Sequence, residues 1–403
     1  MLSLEDVREA RPHVSAVARH TPLNYSHTFS DLTGAAVHLK LETFQRTGSF
    51  KIRGAANRIA QLSEAERAAG VVTASAGNHA QGVALAASRA GVDAIIVMPQ
   101  HAPVSKVKAT RHYGATVVLH GEDYSEAQAH AKSLEREEDR TYVHAFDDRA
   151  VMAGQGTIGF EILEDCPEVE TVVVPIGGGG LIAGVATAIK GRHPDARIVG
   201  VQAEGASSAA ASLAKGEIEV LEGVDTIADG IATRQVGERT FEVIQERVDE
   251  VVTVSDSEIA VALVYALERG KTLLEGAAAV SLAAVLEEAF DYHDDEVIVP
   301  LLSGGNIDMN TLTTVIMRGL VETGRYLKIR TVLQDVPGAL VHLAGEIAEA
   351  EANIYAVHHD RTSRDVAMND AEIEIELETR GQDHVDALLS RLREAGYDVD
   401  VLL

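Results

Sequence analysis

Short apolar runs alternate with alanine-rich helical stretches over most of this chain, and this alternation is the strongest constraint on its fold. The apolar runs contain many β-branched residues and no charge, which is typical of strands buried on both faces of a sheet. They lie at residues 94–98, 116–119, 171–174, 198–201, 251–254 and 297–302. Helical periodicity is found between them, at 80–90, 181–190, 258–268 and 277–289. This order predicts an α/β protein with mostly parallel sheets.

The pattern changes after about residue 324. Strands are predicted at 327–332, 354–358, 371–378 and 399–402, and helices at 339–350 and 383–395. The resulting order, βαββαβ, is that of a ferredoxin-like domain. Ile373 and Ile375 alternate with Glu372 and Glu374, so one face of this sheet should contact water. We therefore predict a first domain at 1–320 and a second at 325–403.

Composition and charge exclude several classes of function. The 403 residues include 62 Asp and Glu against 35 Lys and Arg, a net charge of −27, which argues against binding to nucleic acid or an anionic membrane surface. No segment approaches the length of a membrane span. The single cysteine, Cys166, suits a reducing cytoplasm. Because an acidic, lysine-poor surface stays soluble when salt screens charge, we hypothesise a high-salt, halophilic cytoplasm.

A lysine in an unusual neighbourhood is the first candidate for chemistry. Residues 47–54 surround Lys51 with two glycines, a serine, Phe50 and Arg53. A protonated amine is a poor nucleophile, so a site that uses one must desolvate it or place it near another cation. Phe50 could supply an apolar wall and Arg53 the positive neighbour. A surface turn with a solvated lysine is the alternative that these residues leave open.

Two turns that follow predicted strands could bind a ligand near this lysine. The first contains Ser75, Ala76, Gly77, Asn78 and His79 at the start of a helix. Its hydroxyl, amide and backbone N–H groups could bind a carboxylate, although serine and asparagine are also ordinary helix caps. The second turn begins at Ser303, whose side chain should face the crevice beyond the carboxyl ends of the strands. A plain β-turn is the alternative there.

A third turn contains four consecutive glycines. Gly177, Gly178, Gly179 and Gly180, followed by Leu181, connect a predicted strand to a helix and expose backbone N–H groups that could bind phosphate. Gly178, Gly180 and Ala183 also match the dinucleotide-binding fingerprint G-x-G-x-x-A, with Glu204 at the end of a later strand. This segment alone therefore fits either a dinucleotide or a single phosphate.

Together, these motifs resemble the fold-type II pyridoxal-phosphate enzymes, and over about residues 1–320 they are similar to those of the threonine dehydratases. The motifs lie at 48–54, 73–82, 177–181, 229–230 with 275–276, and 303–306. The resemblance implies two α/β subdomains, the smaller one at about 45–145. It implies pyridoxal 5'-phosphate held by Lys51 as a Schiff base beside Phe50. It also implies that Gly177 to Gly180 and the Leu181 amide bind the phosphate, Asn78 the ring hydroxyl, and Ser303 the pyridine nitrogen.

The implied reaction is deamination of L-threonine to 2-oxobutanoate and ammonia, and of L-serine to pyruvate. Lys51 would act as the general base and residues 75–79 would hold the substrate carboxylate. Serine racemase is the alternative on this scaffold, but racemases carry a second serine where this chain has Ala76. Their metal-binding aspartate, six residues after Glu204, is replaced by Ala210, so we expect no metal. A non-catalytic amino-acid sensor is a third possibility.

Residues 325–403 resemble an ACT regulatory domain. In that family the loop matching Asp335, Val336, Pro337 and Gly338 binds amino acids, and Asn353 is a further candidate. The resemblance implies isoleucine or valine as effector, a role in isoleucine biosynthesis, and pairing between subunits in a homo-oligomer.

Overall fold

Two units make up the chain in the computed structural model, which describes residues 1–362 and 367–403. The first unit is Met1–Asp308 and the second is Met309–Leu403. The predicted boundary after residue 320 is therefore too late. The helix that begins at Met309 packs against the first strand of the second unit, so it belongs there.

The first unit contains ten strands among its described residues. They are β1 (Leu23–Tyr25), β2 (Ala36–Leu41), β3 (Val71–Ala74), β4 (Ala94–Met98), β5 (Thr116–Leu119), β6 (Thr141–Tyr142), β7 (Thr171–Pro175), β8 (Arg197–Ala203), β9 (Glu250–Val254) and β10 (Val297–Leu302). Short 3-10 turns lie at Glu42–Phe44, Glu204–Ala206 and Asp229–Ile231.

The helices of this unit connect its strands. They are α1 (Leu4–Ser15), α2 (His27–Thr33), α3 (Lys51–Ala60), α4 (Glu64–Ala69), α5 (Asn78–Ala90), α6 (Val104–His112), α7 (Tyr124–Glu137), α8 (Arg149–Asp165), α9 (Gly180–Arg192), α10 (Ser208–Lys215), α11 (Glu238–Arg247), α12 (Asp256–Glu268) and α13 (Gly276–Leu286).

The strands form two sheets. The larger has the order β1-β2-β10-β7-β8-β9 and is parallel except for β1, while the smaller has the order β5-β4-β3-β6 and is parallel throughout. The predicted α/β architecture with mostly parallel sheets is confirmed. One detail is wrong: β5 is an edge strand with Thr116 and Leu119 exposed, so it is not buried on both faces.

Helix α3 is clamped between α5 and α8. A Cβ atom added at Gly82 of α5 would lie 2.9 Å from the Lys51 carbonyl carbon, and one added at Gly154 of α8 would lie 2.5 Å from the Arg53 carbonyl oxygen. Only glycine permits so close an approach of two helix backbones. The first turn of α3, which carries Lys51, is therefore held from both sides.

A buried ion cluster holds the same helix turn. Arg53 donates to Glu42 through Nε (2.9 Å) and Nη2 (2.7 Å), and to Glu161 of α8 through Nη1 (2.6 Å). The buried Lys40 of β2 also donates to Glu161, at 2.7 Å. The prediction that Arg53 acts as a cationic neighbour of Lys51 is thus wrong, because residues two apart on a helix do not face each other and these carboxylates engage the guanidinium.

The second unit is a four-stranded antiparallel sheet with helices. Its elements are α14 (Met309–Glu322), β11 (Tyr326–Gln334), α15 (Ala339–Glu349), β12 (Asn353–Asp360), β13 (Asp370–Glu378), α16 (Gln382–Glu394) and β14 (Val399–Val401). The sheet order is β12-β13-β11-β14. Ile373 and Ile375 are buried in its core with Ile329, while the alternating glutamates are only partly buried, as their period of two predicts. Within the described ranges, no helix is both long and apolar enough to span a bilayer.

Breaking the Arg53 cluster should destabilise the first unit. We expect Arg53→Met to lower the free energy of unfolding by about 3–5 kcal/mol, because Glu42 would remain buried without a cationic partner. Arg8→Met, which removes an exposed ion pair with Glu5, should cost at most about 1 kcal/mol. Urea denaturation of the two variants and the wild type measures both values. Equal losses in both variants would contradict the structural role of the cluster.

Candidate active site

A cavity of about 910 Å³ lies where β3, β7 and β10 end. Lys51 lines it together with the turns that follow these three strands. In parallel sheets the carboxyl ends of strands form the ligand crevice, so this placement follows from the topology. The predicted residues that reach the cavity are Phe50, Lys51, Ser75, Gly77, Asn78, His79, Gly177, Gly178, Gly179, Gly180, Leu181 and Ser303.

Lys51 is the first residue of α3, at the helix end where the backbone dipole disfavours a cation. Its Nζ donates to the Ala145 carbonyl at 3.0 Å and lies 5.1 Å from the centroid of the Phe50 ring. Burial lowers the pKa of Lys51 to about 8, although the negative charge of Glu275 acts in the opposite direction. The amine is therefore partly neutral, and hence nucleophilic and basic, near neutral pH.

Backbone hydrogen bonds join the lysine loop to the turn at Ser303. Phe50 N–H donates to the Ser303 carbonyl at 3.1 Å, and Gly305 N–H donates to the Gly48 carbonyl at 2.9 Å. Gly48 has φ +70°, and a Cβ there would lie 2.5 Å from Asn306 Oδ1. Ser303 is buried, and its hydroxyl lies 3.5 Å from the Ala277 carbonyl, the limit of a hydrogen bond. The two predicted motifs therefore form one connected structure.

The glycine turn forms a cradle at the start of α9. The Gly178 carbonyl accepts hydrogen bonds from Gly237 N–H (3.2 Å) and from Thr240 Oγ1 (2.7 Å). A side chain at Gly178 would collide with the Phe146 ring, and Gly179 has φ +91°. The first N–H groups of a helix have no partner within the helix, so a cradle of this kind fits a phosphate. The residues present therefore fit a phosphate-bearing cofactor.

Two side chains of the turn at Ser75 contact neighbouring parts of the first unit. His79 Nε2 donates to the Val143 carbonyl at 2.9 Å, and burial together with the charge of Lys51 lowers the pKa of His79 to about 3, so the ring is a neutral anchor. Ala76 does not line the cavity and packs against the core of the smaller sheet instead. The predicted binding of the substrate carboxylate depends on the hydroxyl, amide and backbone N–H groups of this turn, so the packing of the Ala76 methyl leaves it as a prediction.

Asn78 is held by Glu275 and Asn306, two motif residues whose contact with it was not predicted. Its Nδ2 donates to both carboxylate oxygens of Glu275, at 2.8 and 3.0 Å, and its Oδ1 accepts from Asn306 Nδ2 at 2.8 Å. Burial raises the pKa of Glu275, although the Asn78 hydrogen bond and the charges of Lys106 and Lys51 act in the opposite direction. Residues 275–276 belong to one of the sequence motifs, but the motif alone does not show that Glu275 contacts Asn78.

The segment between β6 and α8 also went unpredicted. Its residues His144, Ala145 and Phe146 line the cavity, and they contact Lys51 and the glycine turn as described above. In the sequence, no glycine motif or predicted strand marks this segment. Its only signal is Asp148, which caps α8 by accepting from the N–H groups of Ala150 and Val151.

A separate cavity of about 380 Å³ lies in the second unit. It is lined by Asp335, Val336, Pro337 and Gly338, the predicted effector loop, and by Arg361, whose Nε lies 3.0 Å from Asp335 Oδ2.

Asn353 does not line this second cavity, contrary to prediction; its Nδ2 donates to Glu378 at 2.9 Å. Asn353 is the first residue of β12, whereas the cavity is lined by His359 near the end of that strand. Six residues of extended strand separate the two by roughly 20 Å.

The fold and the cavity define a class of enzyme that binds a phosphate-bearing aldehyde cofactor through a lysine. Residues 14–304 match the pyridoxal-phosphate dependent enzyme family, and the chain belongs to it. The chain is 48% identical over 402 residues to an L-threonine ammonia-lyase of Thermotoga maritima, with 100% of both chains covered. The cofactor of this family carries a single phosphate and is not a dinucleotide.

Two solved structures are similar to this chain. The processed form of threonine deaminase isoform 2 from Solanum lycopersicum is 43% identical, with a TM-score of 0.76 over 78% of this chain and 92% of that one. Maize serine racemase is 36% identical, with a TM-score of 0.75 over 79% and 98%.

The lowered pKa of Lys51 predicts its reactivity. In the cofactor-free protein we expect acetylation of Lys51 by acetic anhydride to rise with pH around a midpoint near 8, because only the neutral amine reacts. Lys328 is the internal control, since hydrogen bonding to Glu374 raises its pKa. Competitive labelling followed by peptide mass spectrometry gives both profiles. Parallel profiles for the two lysines would contradict the desolvated environment.

Proposed function

We propose that this protein is a pyridoxal-phosphate-dependent threonine ammonia-lyase that converts L-threonine to 2-oxobutanoate and ammonia, and L-serine to pyruvate. The observation that carries this proposal is the pairing, in one cavity, of a desolvated lysine with a bare glycine cradle. The similarity over the full length to an L-threonine ammonia-lyase supports the choice of substrate.

We assign the cofactor contacts to the residues whose placement fits them. Lys51 would hold the aldehyde carbon, Phe50 would contact the ring, and Ser303 and Asn78 would bind its polar edges. The glycine turn, with the Leu181 amide, would hold the phosphate. When bound, the cofactor withdraws electrons from the substrate Cα and so acidifies its proton.

The remaining steps belong to the chain's own groups. The low pKa of Lys51 suits it to take the Cα proton as general base. Ser75 and the first N–H groups of α5 would bind the substrate carboxylate, since a helix N-terminus favours an anion. Ala76 carries no acid that could return a proton to the opposite face of Cα, and its methyl packs into the core. Elimination is therefore favoured over racemisation.

Loss of the lysine amine tests the assignment. We expect Lys51→Ala to lower kcat for ammonia release from L-threonine by at least about 10³-fold, because both the covalent attachment and the base are lost. Lys215→Ala is the matched control, since Lys215 forms only a surface ion pair with Glu219. Ammonia and 2-oxoacid are measured together. D-serine appearing from L-serine without pyruvate in the wild type would instead support the racemase.

We further propose that the second unit is an ACT domain that regulates the enzyme by binding isoleucine or valine at the loop 335–338. The cavity beside this loop has room for an amino acid and offers Arg361 for a carboxylate. Strand β12 is an edge strand that exposes Tyr355 and Val357, which supports pairing with a second copy in a homo-oligomer. Such feedback would suit a role in isoleucine biosynthesis.

We also assign the protein to a salt-rich cytoplasm. Its net charge of −27 and its buried cysteine, Cys166, support this setting.

Removing the charge of the effector loop tests the regulatory proposal. We expect isoleucine or valine to change the rate of ammonia release by the wild type. Asp335→Ala should raise the half-maximal effector concentration at least about tenfold, because Arg361 would lose the carboxylate that orients it toward the cavity. Asp386→Ala, on α16 and away from this cavity, is the control. Tight binding of either amino acid to both variants, measured by calorimetry, would contradict this location.

A further inference from the structure

Two histidines line the main cavity, and their roles differ. His79 uses its Nε2 proton on the Val143 carbonyl, as described above. His144 makes a different pair of hydrogen bonds: its Nδ1 accepts from the backbone N–H groups of Phe146 (3.2 Å) and Asp147 (2.8 Å). A nitrogen that accepts two N–H groups carries no proton of its own, so the proton of a neutral His144 ring lies on Nε2.

The surroundings keep this ring neutral and fixed. Burial lowers the pKa of His144, and the charges of Asp147 and Asp148 only partly oppose this effect. Its ring also packs edge-on against the Phe146 ring, with centroids 4.7 Å apart. Within the described part of the chain, Nε2 has no protein acceptor. His144 is thus a fixed hydrogen-bond donor on the cavity wall, and the mechanism above assigns it no role.

The position of His144 next to the lysine contact indicates which part of a substrate its Nε2–H group would meet. The next residue, Ala145, accepts from Lys51 Nζ, so the imidazole lies one residue from the point where the lysine amine is held. A substrate amine that takes the place of the lysine amine would bring its Cα and the adjacent Cβ near segment 144–146, which lines the cavity at this point. The carboxylate is assigned to the turn at Ser75. The group that remains for His144 is the substituent on Cβ.

We propose that His144 donates a hydrogen bond from Nε2 to the β-hydroxyl of the substrate and thereby selects β-hydroxy amino acids. This inference rests on the proposed function and deepens it. As the Cα–H and Cβ–O bonds break, their electrons form the Cα–Cβ double bond and a lone pair on the departing oxygen. Lys51 takes the Cα proton and, as an ammonium group, supplies the proton that the departing oxygen gains, so water is lost and the lysine amine is neutral again. The Nε2–H group stabilises the charge that develops on oxygen.

Two kinds of substrate, with a hydroxyl or a chloride on Cβ, distinguish hydrogen bonding to the β-hydroxyl from a general role of His144. The hydroxyl of L-threonine or L-serine needs a hydrogen bond to leave, whereas the chloride of β-chloro-L-alanine leaves without a proton. His144→Asn is the informative variant, because its Oδ1 can still accept from the Phe146 and Asp147 N–H groups while the distal donor is lost. His120→Asn, at an exposed histidine, is the control.

The holoenzyme variants are compared by kcat/KM with each substrate. For His144→Asn we expect a loss of about 10²-fold with L-threonine and L-serine, and a change below about threefold with β-chloro-L-alanine. Wild-type rates with every substrate would overturn the proposal, because the ring would then only anchor its turn. Equal losses with all three substrates would also overturn it. Failure of the wild type to release ammonia from L-threonine would instead overturn the proposed function.

A measurement of the His144 protonation state in the wild-type protein is independent of turnover. In protein labelled with ¹⁵N-histidine, we expect His144 at pH 7 to show an unprotonated Nδ1 and a protonated Nε2, with its signals identified by their loss in His144→Asn or His144→Gln. An imidazolium, or a proton on Nδ1, would overturn the proposal.

Discussion

The ion cluster of Arg53 with Glu42 and Glu161 is the interaction on which the site depends most. Helix α3 contributes Ile52 and Ile59 to the core of the smaller sheet, whereas Glu42 follows strand β2 of the larger sheet. The cluster therefore joins the two sheets through the helix turn that presents Lys51. Buried charges of this kind contribute little net stability, but they tolerate one arrangement only, since a displaced partner would leave an unpaired charge.

Close approach of backbone segments also fixes the active site, independently of the ion cluster. Glycines at 54, 82 and 154 let helices touch around Lys51, and those at 177–180 bring Phe146 and Ile231 against the cradle. Where side chains are absent, backbone N–H groups become the ligands, and these cannot be lost by rotation of a side chain. The lysine amine thus lies on a rigid helix end opposite a rigid anion site, which favours a pre-organised geometry over induced adjustment.

Burial sets the protonation state of each group in the cavity. It lowers the pKa of Lys51 toward neutrality, keeps His79 and His144 uncharged, and raises the pKa of Glu275. The two imidazoles then act as donors from Nε2, one to the protein and one to the substrate in the proposal above. A single physical cause, removal of water, therefore provides the base and the donor in the same site.

The sequence alone determined most of the strand and helix order and the turns at the strand ends, because hydrophobic periodicity and glycine runs are local properties of the chain. It predicted Lys51 as the reactive amine through the resemblance that its motifs carry. Tertiary structure alone decided which side chains meet. Arg53, two residues from Lys51, turns away to carboxylates of distant elements, and Ala76 packs into the core within a turn otherwise open to the cavity. His144 reaches the site from a segment without any motif, and Glu275, although part of a motif, meets Asn78 across 197 positions of the chain. No local pattern records such contacts.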